Sequence, residues 1–535
     1  MGVRGLQGFV ARVCPDACQT IDLREMAEKH RVDHPDCPPV IVVDAMSCVR
    51  RWYTPESWVC GGQWREYLAI LEDFINAFMA AGIKLVFYFD GVVEEKKRDE
   101  WIKRRMKNTE EIARLFQFIK THRKQPGREM FVLPSALPTF TRYALKSLGQ
   151  KTVCTLQEAD LEVAAYGLQH NCIGILGQDS DYLIYDTCPY FSIENLRLDR
   201  LRYSSPLIIF AASGLTPTGQ SPSCARDIRA GPNTPAKEQH IQSENYSIFN
   251  ILSHGEIECS NSLEDDYDTE IPGQALIYRP ARQHIYYILL ESGKGGTRPL
   301  VKEWFVYFGN PLKQPDLIQP VQPPVTGGTP NLKTLWLAKG PDVEKQRYST
   351  FLACFHLQDE MEELQALEAP VAGFCCLLAY LMMQVSSLSL EDLNAFLALI
   401  LCLKGKSAAQ LTGLQVWTGI ILAQVDSRAV HLGAVLIRGL TTLLMANSAC
   451  GFPFRMDDLM PWAVFDGKLF QEKYQKAHQG CSVEELLEGN VENRDIHTGG
   501  DTTFLLGKEF MSTSGKWDGG IVATGIIFVY ESLFL

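Results

Sequence analysis

Residues 157–186, QEADLEVAAYGLQHNCIGILGQDSDYLIYD, place Glu158 and Asp160 at the head of an apolar-striped helix and Asp179 and Asp181 just past the next hydrophobic run. Two more acids end apolar runs, Asp44 after PVIVV and Asp90 after IKLVFYF. Carboxylates that converge repel one another unless cations or shared protons hold them together. Oxygen-only ligands select hard ions, so a gathering of these six suits Mg2+ or Mn2+. Two such ions roughly 4 Å apart would activate water and stabilise a phosphodiester leaving group.

Each acid also has an ordinary role available. Thr155 and Glu158 have capping-box spacing, in which Glu158 satisfies a backbone amide. Asp160 suits the first turn of a helix through the helix dipole alone. Asp90-Gly91 is a turn dipeptide, and Asp44 could be a lone polar residue at a strand end. One metal site accounts for all six at once.

Such a site needs elements that bring distant residues to one edge. PVIVVDA (39–45), IKLVFYFDG (83–91), MFVLP (130–134), KTVCT (151–155) and CIGILG (172–177) are continuous apolar runs, as expected of strands buried on both faces. Between the first two, Trp64, Tyr67, Leu68, Leu71, Phe74, Ile75 and Phe78 recur at helical spacing, and Gly82 is placed to end that helix. The alternation predicts an α/β domain with a mainly parallel sheet. In open parallel sheets the ligand crevice lies beyond the carboxyl ends of the strands, where Asp44, Asp90, Asp179 and Asp181 would fall.

The net charge of −12 over 535 residues argues against a protein that coats nucleic acid with its whole surface. The segment from Glu94 to Arg128 is the exception, with twelve Lys/Arg against six Asp/Glu. Lys97, Trp101 and Arg104 recur there at helical spacing, which predicts either a phosphate-facing stripe or a solvated charged face. The 16 cysteines are scattered and no charged-then-apolar leader opens the chain, so free thiols in a reducing compartment are expected. Cys14, Cys18, His30 and His34 approach zinc-finger spacing, but the segment between them offers no aromatic core, and helix packing is the simpler reading. The long uncharged stretches 369–390 and 407–425 are diluted by polar residues and Gly, which predicts buried helices and no membrane span.

From these patterns the chain reads as a nuclease-like α/β domain at 1–201, a Ser/Pro-rich linker or variant insert at 202–250 and a small β-containing module at 251–310. A Pro/Gly-rich linker at 311–345, a helical domain at 346–495 and a tail at 496–535 complete it. The runs QALIYRP and HIYYILLES suggest the β content of the third segment.

MGVRGL, VVDA at Asp44, FDG at Asp90, QEAD at Glu158 and GQDSDYLIY at Asp179 together resemble the flap-endonuclease (XP-G type) domain, a PIN-like fold. That resemblance implies metal-binding roles for Asp44, Asp90, Glu158, Asp160, Asp179 and Asp181. It also implies nucleic-acid contact by Gly2, Lys97 and Arg104. YTPESWVCGGQWREY, DEWIKRRMKN, LQEADLEVAAYGLQHNCIGILG and MDDLMPWAVFDGKLFQEKY further resemble the constitutive-coactivator family, whose amino-terminal domain is nuclease-like. Membership would imply a nuclear, ligand-independent transcriptional coactivator of nuclear receptors. Peroxisome proliferator-activated receptor gamma would be its receptor, with the estrogen receptor a further candidate, and fat-cell differentiation the outcome.

After Arg200 the superfamily's next metal-binding acid and its DNA-gripping helical hairpin have no counterpart, which counts against cleavage. A splice or gene-model variant would account for that and for a carboxyl end shorter than the family's. The remaining readings are a metal-dependent structure-specific nuclease, or a protein that binds DNA or RNA without cutting it. Leu440, Leu443 and Leu444 have the LxxLL spacing of receptor-binding helices, although the apolar surroundings favour core packing.

Overall fold

The computed structural model describes residues 3, 5–14, 18–53, 62–155, 159–198, 201, 207–210, 245–290, 296–404 and 424–487. The chain divides into two compact units. One comprises residues 1–54, 67–101 and 137–231, the other residues 55–66, 102–136 and 232–535.

The first unit is built on a seven-stranded sheet. In chain order its strands are β1 (Cys18–Ile21), β2 (Val40–Asp44), β3 (Lys84–Phe89), β4 (Lys151–Cys154), β5 (Gly174–Gly177), β6 (Tyr190–Ser192) and β7 (Leu207–Phe210). They lie in the order β1-β7-β6-β5-β2-β3-β4. The five from β6 to β4 are parallel neighbours, and β7 runs antiparallel to both β6 and β1. Parallel strands need their faces covered, and Ile41, Val42, Val43, Phe87 and Ile175 are accordingly inaccessible to solvent.

The helices that accompany the sheet in this unit include α1 (Leu6–Val13), α2 (Leu23–Asp33), α3 (Ala45–Trp52), α4 (Trp64–Ala80), α6 (Leu137–Ser147) and α7 (Asp160–Gln169), while α5 (Arg98–His122) begins in this unit and has residues 102–122 in the second. Trp52 of α3 meets Phe74 of α4 edge-on at 5.3 Å. Gly82 stops α4 at a φ of 68° and donates its amide to Met79. A side chain there would also collide with Arg31, whose guanidinium donates to the Gly82 carbonyl at 2.8 Å.

Two sequence expectations need correction here. MFVLP is no strand: Arg128–Met130 form a 3-10 turn and residues 131–134 have no regular structure. The segment expected as a linker from 202 contains β7, which pairs between β1 and β6.

In the second unit β8 (Glu256–Cys259), β9 (Val301–Phe305) and β10 (Asp316–Ile318) form a small sheet, parallel between β8 and β9 and antiparallel between β9 and β10. Its helices include α8 (Tyr246–His254), α9 (Gln274–Ile277), α10 (Arg279–Leu289), α11 (Pro341–Ala353), α12 (Ala369–Gln384), α13 (Leu390–Lys404), α14 (Ser427–Ala449) and α15 (Gly467–Ala477). QALIYRP and most of HIYYILLES, read from sequence as strands, are thus α9 and α10. Pro280 starts α10 in the first turn, where its missing amide costs nothing. The Pro/Gly-rich stretch at 311–345 holds β10 and a short helix, Leu332–Leu337, so it is folded structure within this unit.

Helix α14 packs against α10, α12 and α15. It is the one described helix long and apolar enough to cross a membrane, and 94% of its apolar window is buried inside the protein. The expected helix at 369–390 is α12; residues 407–423 of the second apolar stretch lie outside the described residues.

Candidate metal centre

Three strands deliver acids to one edge of the first unit. β2 ends at Asp44, β3 is followed at once by Asp90, and β5 by Gln178 and Asp179. In register, Asp44 pairs with Tyr88 and Val43 with Leu176, so the carboxyl ends of the strands lie level.

Asp44 is 4% exposed and caps α3, its carboxylate accepting the Ser47 amide at 3.2 Å. The Ser47 hydroxyl donates to the Asp44 carbonyl at 3.0 Å and accepts the Gln178 amide at 2.9 Å, which fastens the end of β5 to the end of β2. Gly177 makes that approach feasible. A β-carbon there would lie 3.1 Å from Ser47 Oγ and 3.3 Å from Asp44 Cβ. Asp90, exposed, accepts the Ala159 amide at 2.9 Å. Asp160 opens α7 and accepts a bond from the Tyr182 hydroxyl at 3.4 Å. Asp179, 3% exposed, caps the 3-10 turn Ser180–Leu183 by accepting the Asp181 amide at 3.0 Å.

Carboxylate oxygens of Asp160, Asp179 and Asp181 all lie within 4.8 Å of one another. Asp44 and Asp90 share their field. Burial, then the charges of Asp90 and Asp160, push the Asp44 carboxyl up to about 7 against the pull of its Ser47 bonds. Burial and Asp179 raise Asp181, while the Val3 backbone and the Lys97 charge draw it back. Burial drives the Tyr182 hydroxyl far upward, and Asp44, Asp160, Asp179 and Asp90 add to it. The donors are all oxygens, which fits a hard divalent ion. Asp160, Asp179 and Asp181 would hold it, with Asp44 beside them. Such an ion would supply charge to a phosphate ester and acidify a bound water.

The other candidates fall variously. Glu158 and Gly2 lie outside the described residues. Because α7 starts at Asp160 with Ala159 at its cap, Thr155 is not the N-cap of that helix, and its hydroxyl donates to the Phe89 carbonyl at 3.3 Å. Lys97 belongs to a 3-10 turn, Glu95–Lys97, directly ahead of α5, so it departs from the expected single helical stripe with Trp101 and Arg104. Arg104 is exposed on α5 and lies in the second unit.

Leu440, Leu443 and Leu444 are at most 1% exposed within α14, so the LxxLL reading is corrected. Leucines that fill their own core cannot enter a partner's groove. His30, from the Cys/His string, faces the Asn171 carbonyl at 2.9 Å. Sequence reasoning overlooked Ser47, Gly177 and Tyr182. Only Ser47 left a local trace, a hydroxyl three residues after a strand-ending Asp.

Among curated proteins, the bovine (Bos taurus) constitutive coactivator of peroxisome proliferator-activated receptor gamma is 42% identical, covering 92% of this chain and 93% of its own length. The mouse (Mus musculus) and human (Homo sapiens) proteins of that name are 40% and 34% identical, over 92% of this chain and 90% and 91% of their own. The chain belongs to this coactivator family. The alignment to the bovine coactivator runs over 657 residues, more than the 535 here, so that coactivator has segments with no counterpart in this chain. The mouse constitutive coactivator of PPAR-gamma-like protein 1 is 34% identical over 48% of this chain and 24% of its own length. No protein-family model matches. Among solved structures, the catalytic core of Rad2 with DNA substrate aligns over 39% of this chain and 54% of that one at 17% identity, with a TM-score of 0.25. That likeness is too slight to argue from.

Proposed function

We propose that this chain is a ligand-independent transcriptional coactivator of peroxisome proliferator-activated receptor gamma that works in the nucleus and promotes fat-cell differentiation. The observation that carries this reading is 42% identity, across almost the full length of both chains, to a protein named for that activity. The estrogen receptor is a second candidate partner. With the LxxLL leucines interior, receptor contact falls to other surfaces. The test is a receptor-driven reporter in cells, with and without ligand. Activation in both conditions is expected, and no gain in either would overturn the proposal.

A second reading has its own support in the acidic edge of the first unit. Carboxylates within 4.8 Å of one another, with Lys97 acting on Asp181, suit a divalent-metal site that meets phosphate. In this reading the protein binds DNA or RNA, and with metal it cuts a phosphodiester. Branched DNA and RNA incubated with the purified chain in Mn2+, beside Asp179→Asn, decide the matter. Cutting that the variant loses makes the chain an enzyme. Binding without cutting makes the edge a docking site, and neither result leaves coactivation alone.

A further inference from the structure

Far along the chain from the carboxylates, two histidines of the second unit meet at their ring edges. His284 lies on α10 and is 5% exposed. Its Nδ1 is 3.0 Å from the Val321 carbonyl. A carbonyl only accepts, so the neutral ring carries its proton on Nδ1 and turns the Nε2 lone pair outward. That lone pair faces His356 Nε2 at 3.4 Å, with the two rings at 77°.

The separation is informative. For a hydrogen bond between two nitrogens 3.4 Å is long. Around a tetrahedral ion with metal–nitrogen bonds of about 2.0–2.1 Å, adjacent nitrogens lie about 3.3 Å apart.

The backbone holds both rings in place. The Val321 amide donates to the Gln283 carbonyl at 3.1 Å, and the Gln283 side chain donates to the Gln319 carbonyl at 2.9 Å, so the chain that orients His284 is tied twice to the α10 residue just before it. His356 follows the end of α11 at a φ of 59°, a left-handed conformation that non-glycine residues adopt at a cost. Its amide bonds the Ala353 carbonyl, and the next amide, of Leu357, bonds Leu352. The outcome of that strained turn is an imidazole placed against another imidazole.

We propose that His284 and His356 form a two-point site for a borderline divalent transition ion, zinc being the reference, with the remaining coordination positions open on the exposed side of His356. A backbone carbonyl on the far ring nitrogen is the orienting contact that metal-binding histidines use. Burial draws both rings below the ordinary histidine pKa, with the His356 charge adding to the effect on His284, and this favours the neutral form a metal requires. Imidazole donors select zinc, nickel or copper over magnesium, which separates this site from the carboxylate edge.

The test uses the full chain, stripped of metal and titrated with Zn2+ by equilibrium dialysis. His356→Asn is the deciding variant, because asparagine tolerates the left-handed backbone and removes the ligand. It is expected to lose one equivalent of zinc, or at least tenfold in affinity, with metal-free melting unchanged, while Asp179→Asn keeps that equivalent. X-ray absorption of the zinc-loaded unsubstituted protein needs no variant and should show two imidazole nitrogens. Unchanged zinc stoichiometry and affinity in His356→Asn, no zinc uptake below millimolar, or an absorption spectrum without paired imidazoles would overturn the site and leave only a hydrogen-bonded ring pair.

Discussion

The Asp90 carboxylate accepts the Ala159 amide at 2.9 Å, so the acid that follows β3 also fixes where the helix carrying Asp160 begins. The two acids are therefore coupled through backbone as well as through charge. Replacing Asp90 with Ala removes the acceptor and should cost about 1 kcal/mol in urea denaturation. Asp90→Asn keeps an acceptor oxygen and should recover most of that loss. Equal destabilisation by both would show that the bond contributes nothing.

Metal uptake at the acidic edge should depend on the buried member of the cluster. Asp179→Asn removes one charge from three carboxylates that lie within 4.8 Å, and Mn2+ affinity, followed by the paramagnetic resonance of free Mn2+, should fall at least tenfold. An unchanged titration would mean that the acids gather without holding an ion.

Lys97 acts on Asp181 through its charge. If the edge meets a phosphate backbone, Lys97→Ala should weaken binding to unrelated sequences alike and reduce the salt slope by about one unit. A loss confined to one sequence would argue against a backbone contact.

The second unit carries a pH signature of its own at Asp466. This carboxyl caps α15 by accepting the Leu469 amide at 2.9 Å, its other oxygen is buried without a partner, and burial pushes its pKa up to about 6. The unfolded chain releases that proton near the ordinary value of about 3.9, so between about pH 4 and 6 the folded state holds more protons than the unfolded one and stability falls as pH rises. Urea midpoints measured across that interval should decline, Asp44 contributing in the same sense, and the decline should be smaller in Asp466→Asn. A slope unchanged by the substitution would assign the effect to other groups.

Arg282 and Glu303 form a fully buried pair, bonded at 2.6 and 2.9 Å, with the Tyr286 hydroxyl on the same carboxylate. Arg282→Met strands the acid in the core and should cost about 3–5 kcal/mol of stability, read by chemical denaturation. The double change with Glu303→Leu should recover a large part of it. A double variant as unstable as the single one would point to lost packing.

What the sequence made legible follows from length and period. The strands bearing Asp44 and Asp90 are long apolar runs, and a parallel sheet must place their carboxyl ends together, so two members of the edge could be located from residues 40–44 and 84–90 alone. Strands β1, β6 and β7 have only three or four residues and offer no period to read. In α10 the chain buries Ala281, Arg282, His284, Ile285, Tyr286, Ile288 and Leu289, so nearly every face is covered and aromatic and β-branched residues suggest a strand instead. The Ser47 bridge and the room at Gly177 arise between residues more than a hundred positions apart, and no local pattern records them.

The interior position of Leu440, Leu443 and Leu444 separates the behaviour of a fragment from that of the whole. A synthetic peptide spanning α14 would carry its three leucines into solution free to dock, whereas the folded chain keeps them in its core. Under the proposed receptor coactivation, binding by a peptide-array or two-hybrid fragment covering this helix would therefore not locate a contact made by the folded chain, and mapping calls for substitutions on the intact surface.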